Sequence, residues 1–343
     1  MVFVSMKKVE ITGKKKSQIV CVDDPEAKGD WALVRIIVAP MCTEYKSFIE
    51  GTPAGCLGHE AAGEVVDAAN DSEVKVGDCV VVMPQYPCGK CELCLSGDYI
   101  YCESGYDFKE FFGTNDGCET YAQYILKPSW LLPKIPDEIS YEHASMLCCG
   151  LGPTFGAMQQ MGVHSDANVL ITGLGPVGLG GIINGIDRGA KIIGVSRNKY
   201  RQKLAADLGA HVILDPDDNN IEERIKALTS GKGVDFAIDC SGNEKAQNLC
   251  INATRRRGQV AFIGESDKLT LEVSNQLIRK GLILNGIWHY NFYDIPKLFE
   301  VVANNSEAID KLITHKFPME NIEKAWELQE KRQCGKILIY PWE

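Results

Sequence analysis

The sequence predicts an α/β protein in two parts: a small β-barrel or sandwich in the first third, and a doubly wound parallel sheet in the second half. Three observations predict it. The stretches QIVCVDD, WALVRIIVAP, GEVVDAA and DCVVVMP are short β-branched runs separated by Gly, Asp and Pro clusters. Further on, apolar strand candidates (NVLITG, KIIGVS, HVILDP, DFAIDCSG, QVAFIGE, LILNGIWHY) alternate with segments such as NKYRQKLAADLGA and NIEERIKALTSG, which have helical apolar spacing. Alternation of that kind builds a parallel sheet covered on both faces. Between the two parts, from Ser140, YEHASMLCCGLGPTFGAMQQMG has helical periodicity and small residues. After Tyr290 come two helical segments, FYDIPKLFEVVANN and MENIEKAWELQEKR, and a last strand, GKILIYP.

Composition bounds the function. At 343 residues the chain has room for two domains. Lys and Arg number 36 against 46 Asp and Glu, a net charge of −10 that argues against a general nucleic-acid binder. The most apolar stretch, 169–186, is interrupted by Thr172, Asn184 and several glycines, so no plain membrane span is expected. Fourteen cysteines accompany an N-terminus, MVFVSMKKVEITGKKK, without an apolar signal core. That pairing predicts a cytoplasmic chain whose thiols are reduced and ligate metal, not a disulfide scaffold.

The sharpest motif is Cys88-x2-Cys91-x2-Cys94-x7-Cys102. Four thiolates this close can converge on one tetrahedral zinc, and a closed shell of four makes the site structural. The second is VLITGLGPVG, in which Gly173, Gly175 and Gly178 form G-x-G-x-x-G between a strand and a helix. The glycines give the tight turn, the close approach to a pyrophosphate and the close helix packing of a dinucleotide site, with Pro176 and Val177 in the anion-binding first turn. At the end of the following strand, where NAD-selecting chains carry an acid, stand Ser196 and Arg197. A hydroxyl and a guanidinium there suit a 2′-phosphate, so NADP(H) is expected over NAD(H); the alternative is an Arg197 that only faces solvent.

A third, dispersed set comprises Cys42, the Gly58-His59-Glu60 triplet and Cys148-Cys149-Gly150. With the other two motifs it resembles the zinc-dependent medium-chain dehydrogenase/reductase superfamily (alcohol and polyol dehydrogenases), along essentially the whole chain. The resemblance implies a GroES-like β-barrel catalytic domain over 1–155 and 291–343, with a zinc lobe at 86–104, and a Rossmann coenzyme domain over 156–290. It places Cys42, His59 and Cys149 on a catalytic zinc, with Cys148 the rival for the third position, and so implies two Zn2+ per chain. Two thiolates and one imidazole leave a coordination position open for substrate. Glu60 takes a supporting role beside the metal.

One departure stands out. The family usually carries Ser or Thr two residues after the first cysteine, and here Glu44 occupies that place, as a candidate general base or an added charge near zinc, with Thr43 eligible after a one-residue shift. Ser47 is a further relay candidate. Softer expectations from the resemblance are Cys240, Ser241, Ile263 and Gly264 around the cofactor, Lys336 at the pyrophosphate, and Trp288, His289 and Tyr290 at the nicotinamide and substrate cleft, with Phe111 and Phe112 as walls. Cys21, Cys56, Cys79, Cys118, Cys250 and Cys334 read as small buried hydrophobes. The function implied is hydride transfer between a nicotinamide cofactor and a secondary alcohol, polyol or sugar-like compound or its ketone, in a homodimer or homotetramer joined near LILNGIW. Alternatives are reduction of an activated C=N or C=C bond, should Glu44 disable the relay, and a non-catalytic dinucleotide binder.

Overall fold

The computed structural model describes residues 5–53, 56–69 and 72–343. The hairpin β1 (Ser5–Gly13) and β2 (Lys16–Asp23) precedes β3 (Trp31–Pro40), β4 (Ala61–Ala68), β5 (Cys79–Val82) and β6 (Tyr124–Pro128). The ten residues of β3 are almost wholly buried because the strand is paired along its length. It takes β4 and β6 as antiparallel neighbours. Its last residues, Ala39 and Pro40, pair with β14 (Lys336–Tyr340), so a late strand joins the sheet that β3 and β4 form.

The intervening chain supplies β7 (Asn168–Thr172), β8 (Lys191–Val195), β9 (Val212–Leu214), β10 (Val234–Asp239), β11 (Thr254–Phe262) and β12 (Ile283–Gly286). They form one sheet in the order β12-β11-β10-β7-β8-β9, parallel throughout. The order reverses beside β7, and a ligand crevice opens at the carboxyl ends of the strands there. Then β13 (Ile313–Pro318) and β14 (Lys336–Tyr340) return to the barrel. Met146, Cys148, Leu151, Phe155 and Tyr290 carry one continuous core from barrel to sheet.

Several local expectations are corrected. The helical stretch after Ser140 breaks into Tyr141–Ala144, a 3-10 turn Ser145–Leu147 and Gly152–Met161, leaving 148–151 as a turn. The strand expected through Tyr290 ends at Gly286. Phe111 and Phe112 pack on Trp31, with the Lys28 ammonium over both rings; their apolar area is spent on the barrel, not on a cleft. The unassigned cysteines are not uniformly buried: Cys21 and Cys79 are exposed, and Cys56 is joined to Cys118 as a disulfide.

Candidate active site and metal centres

Cys42 leaves the end of β3, where Met41 N–H donates to the Ile337 carbonyl at 2.9 Å and so sets Cys42 beside β14. His59 and Glu60 immediately precede β4. Gly58 holds φ +84°, and a Cβ there would overlap the Thr120 hydroxyl. Cys149 lies in the turn that interrupts the helix. One ligand atom from each of Cys42, His59, Glu60 and Cys149 lies within 4.8 Å of the others. Cys148, the rival, is buried with its thiol 3.4 Å from the Val82 carbonyl.

His59 has its two nitrogens assigned by their partners. Nδ1 meets Glu44 Oε1 at 2.7 Å, and Nε2 faces Cys149 Sγ at 3.2 Å. The other Glu44 oxygen accepts from Cys42 N–H at 3.2 Å and the Tyr121 hydroxyl at 2.9 Å. A carboxylate on Nδ1–H fixes the tautomer that presents the Nε2 lone pair, the usual backing of a ligating histidine. Two sulfurs and one imidazole nitrogen so arranged fit a zinc with a fourth position open.

This geometry argues against Glu44 as the proton acceptor. Burial pushes its carboxyl up, but His59 and the Tyr121 hydroxyl outweigh that and hold it at about 2. Its oxygens meet three donors, and the carboxylate sits behind the imidazole, on Nδ1, while the Cys149 thiol faces Nε2. A carboxylate depressed below its unfolded value gives stability above about pH 4.5 that is lost as pH falls through about 2. Glu44→Gln is expected to weaken zinc at this site by about 10–100-fold, read by competition with a chelating dye; unchanged affinity would remove its orienting role.

Lys336 is also corrected. Expected at a pyrophosphate, it is 1 % exposed and bound to Glu60, which is itself fully buried, at 2.6 Å. An ammonium this deep needs a carboxylate more than it can serve a cofactor. Burial raises the Glu60 carboxyl to about 7, with Lys336 opposing. Its second oxygen accepts from Cys149 N–H at 3.0 Å, so Glu60 supports the turn that carries the thiol. Ser47 sits half-buried on the helix Tyr45–Glu50, outside the group of four. His289 is buried against Tyr290, with Nδ1 3.5 Å from the Tyr99 hydroxyl and Nε2 buried without a hydrogen-bond partner among the described residues. Trp288 is half exposed, and its backbone N–H donates to the Tyr101 hydroxyl.

The second cluster gathers Cys88, Cys91, Cys94 and Cys102. Sulfur separations are 3.5 Å for Cys91–Cys94, 3.8 Å for Cys91–Cys102 and 4.0 Å for Cys88–Cys94. A tetrahedron with Zn–S bonds near 2.3 Å has edges of about 3.8 Å, so the donor set fits without rearrangement. Against burial, backbone N–H groups of Lys90 and Cys91 draw the Cys88 thiol down to about 6.

At the glycine turn, Gly173 holds φ +81° and an added Cβ would lie 2.6 Å from Ser241. A Cβ on Gly178 would overlap the Gly173 carbonyl. Gly175 caps the helix Pro176–Asp187, whose first turn holds Pro176 and Val177. Cys240 extends β10, its N–H donating to the Thr172 carbonyl. Ser241 follows, and the Ile263 and Gly264 N–H groups donate to the Asp239 carbonyl. Ser196 and Arg197 follow β8; Arg197 is exposed, with no ion pair among the described residues. Sequence reasoning missed two residues here. Buried Asp239 accepts from Thr172 Oγ1 (2.8 Å), Ser241 N–H (3.0 Å) and Gly242 N–H (3.0 Å), shaping the loop beneath the turn. Arg201 donates to the Cys334 carbonyl at 3.3 Å, and its Nη1 lies 3.7 Å from where a Gly175 Cβ would be. Its cue was five residues beyond Ser196, in a segment read only for helical spacing.

Residues 28–137 match the alcohol dehydrogenase GroES-like domain, and residues 176–304 the zinc-binding dehydrogenase domain. The chain is 30% identical to L-threonine 3-dehydrogenase of Pyrococcus horikoshii over 94% of each chain. The chain belongs to the zinc-dependent medium-chain dehydrogenase/reductases. It is also 29% identical to alcohol dehydrogenase 1 of Artemisia annua, over 96% of this chain and 95% of that one. The structure of 2R,3R-butanediol dehydrogenase from Bacillus subtilis superposes with a TM-score of 0.85 at 25% identity, covering 98% of this dehydrogenase and 100% of the other. The dehydrogenase is thus a zinc-type alcohol oxidoreductase that uses a nicotinamide cofactor. No helix among its described residues is long and apolar enough to cross a membrane.

Proposed function

We propose that this dehydrogenase interconverts a secondary alcohol and its ketone with NADP(H), using one zinc held by Cys42, His59 and Cys149 and a second, structural zinc held by Cys88, Cys91, Cys94 and Cys102. The observation that carries the reading is His59 poised between Glu44 and the two thiols, with no fourth protein ligand required. When bound, the zinc supplies a Lewis acid for the substrate oxygen and the dinucleotide supplies the hydride acceptor or donor. The chain's own residues do the rest. Glu44 and Tyr121 hold His59 in one tautomer. Glu60, held by Lys336, supports the turn that carries Cys149. Thr43, next to Cys42 and exposed, offers a hydroxyl that would accept the substrate proton while passing its own to solvent, one residue from the family position, since Glu44 turns inward onto His59.

That shift withdraws the argument for C=N or C=C reduction, which needed Glu44 in the relay position. Support for a secondary alcohol comes from relatives named for L-threonine 3-dehydrogenation and for a butane-2,3-diol. A panel of primary and secondary alcohols assayed with both cofactors tests it; turnover confined to primary alcohols would overturn it.

The NADP(H) preference rests on Ser196 and the exposed Arg197, which makes no ion pair among the described residues. Arg197→Ala is expected to cost roughly 1.5–3 kcal/mol of NADP(H) binding and to leave NAD(H) binding nearly unchanged. Equal losses for both, by titration calorimetry, would contradict the assignment. We also propose a homodimer or homotetramer through β12, which ends the parallel sheet and carries Ile283 exposed, as Ile278 and Val273 are in the segment before it.

A further inference from the structure

The cross-link between Cys56 and Cys118 spans 62 residues and lands in the two segments that shape the His59 site. Cys56 is exposed and stands three residues before His59. Cys118 is buried and stands three residues before Tyr121. Between these ends the segments are already fastened: the Leu57 carbonyl accepts from Thr120 N–H at 3.1 Å and from Tyr121 N–H at 3.0 Å. Further in, His59 Nδ1 meets Glu44, and Glu44 accepts from the Tyr121 hydroxyl. Cys56 to His59, Glu44, Tyr121 back to Cys118 therefore form one closed ring around the ligand loop, and the sulfur pair is its only covalent link across the two segments.

We infer that Cys56 and Cys118 are a reversible dithiol–disulfide pair, a site of thiol–disulfide exchange with low-molecular-weight disulfides, whose oxidation locks the loop that carries His59. The inference rests on the reading of His59 as a zinc ligand. Access sets the order of attack. The Cys56 thiolate attacks a small disulfide such as oxidised glutathione, forming a mixed disulfide and releasing one thiolate. The Cys118 thiolate then attacks Cys56 Sγ in that mixed disulfide, expelling the second thiol. The two protein thiols are oxidised, one disulfide is reduced to two thiols, and the two protons end on them. Closure removes conformations from the open loop that a hydrogen-bonded clamp alone still allows. His59 then has fewer routes away from its partners, and zinc leaves more slowly. The four-cysteine lobe lies outside the ring and is unaffected.

The test uses the zinc-loaded full chain poised in buffers of differing reduced-to-oxidised glutathione ratio. Peptide mapping after acid quenching and alkylation reads the 56–118 cross-link, and a chelating dye reads zinc release. The release phase that disappears in His59→Ala belongs to the catalytic site. Under oxidising conditions the wild type is expected to show the cross-linked peptide and a slowing of that phase on the order of tenfold. Cys56→Ser, an exposed substitution, is expected to release zinc at the reduced wild-type rate in every buffer. Absence of the cross-link across the whole range would overturn the inference, as would a cross-link that leaves release equal to that of Cys56→Ser. A third zinc in the reduced wild type, lost in Cys56→Ser, would also overturn it and make Cys56, Cys118 and Glu119 a metal site instead. If the wild type instead lacks a His59-dependent zinc, the ligand assignment has failed, and the mapping still reports on the pair by itself.

Discussion

Replacing His59 with alanine is expected to yield a folded chain with one zinc instead of two and turnover lowered by at least roughly 10³-fold, since the ion shifts the pKa of a coordinated hydroxyl by many units. Folding survives because Glu44 keeps two of its three donors, Cys42 N–H and the Tyr121 hydroxyl. Losing the third leaves a buried oxygen unpaired, at a cost of about 1–3 kcal/mol. Metal analysis and steady-state rates on the same preparation make the comparison. A variant that kept both zincs and its rate would show that His59 is not a ligand.

Cys94→Ser acts on stability instead of chemistry. Cys94 is 6 % exposed and meets both Cys88 and Cys91 within the lobe. A serine there leaves three thiolates, and the zinc affinity given up is folding free energy of the lobe, a loss of several kcal/mol. Outside the cluster, the lobe is tied down by Tyr99 and Ile100 in the core. Asn291 adds a bond to the Ser96 carbonyl at 2.8 Å and Tyr293 one to the Leu95 carbonyl at 2.9 Å. Phe292 N–H donates to the Gly97 carbonyl at 2.8 Å and Asn291 to Asp98 at 3.0 Å, so these bonds fasten the lobe's outer edge while the four thiolates meet in its interior. The expected result is a melting temperature lowered by many degrees and early proteolysis within the lobe. An unchanged melting temperature with full zinc occupancy would rule out a structural metal there.

What could be read along the chain was what local chemistry decides. The glycine turn is legible because Gly173 and Gly178 each face backbone or a neighbouring loop at distances only a hydrogen fits. The cysteine lobe is legible because its four ligands lie within fifteen residues. The signs of Glu44 and Lys336 were legible, but their partners were not. Glu44 finds Tyr121 across 77 residues and Lys336 finds Glu60 across 276, through the pairing of β3 with β14 and the docking of the loop before β6. Motif position alone could not separate a carboxylate facing substrate from one facing the back of a histidine. The Cys56–Cys118 pair escaped for the same reason, since the two cysteines are 62 residues apart.

The central claim is that Cys42, His59 and Cys149 hold an ion whose imidazole ligand is set by Glu44. Anomalous diffraction at the zinc edge from crystals of the zinc-loaded chain tests it most directly. Two peaks per chain are expected, one inside Cys88, Cys91, Cys94 and Cys102. The other should be bonded to Cys42 Sγ, His59 Nε2 and Cys149 Sγ, with His59 Nδ1 still on Glu44 and Glu60 still on Lys336. A second peak bound through His59 Nδ1, or no zinc at all among those three residues, would contradict the account.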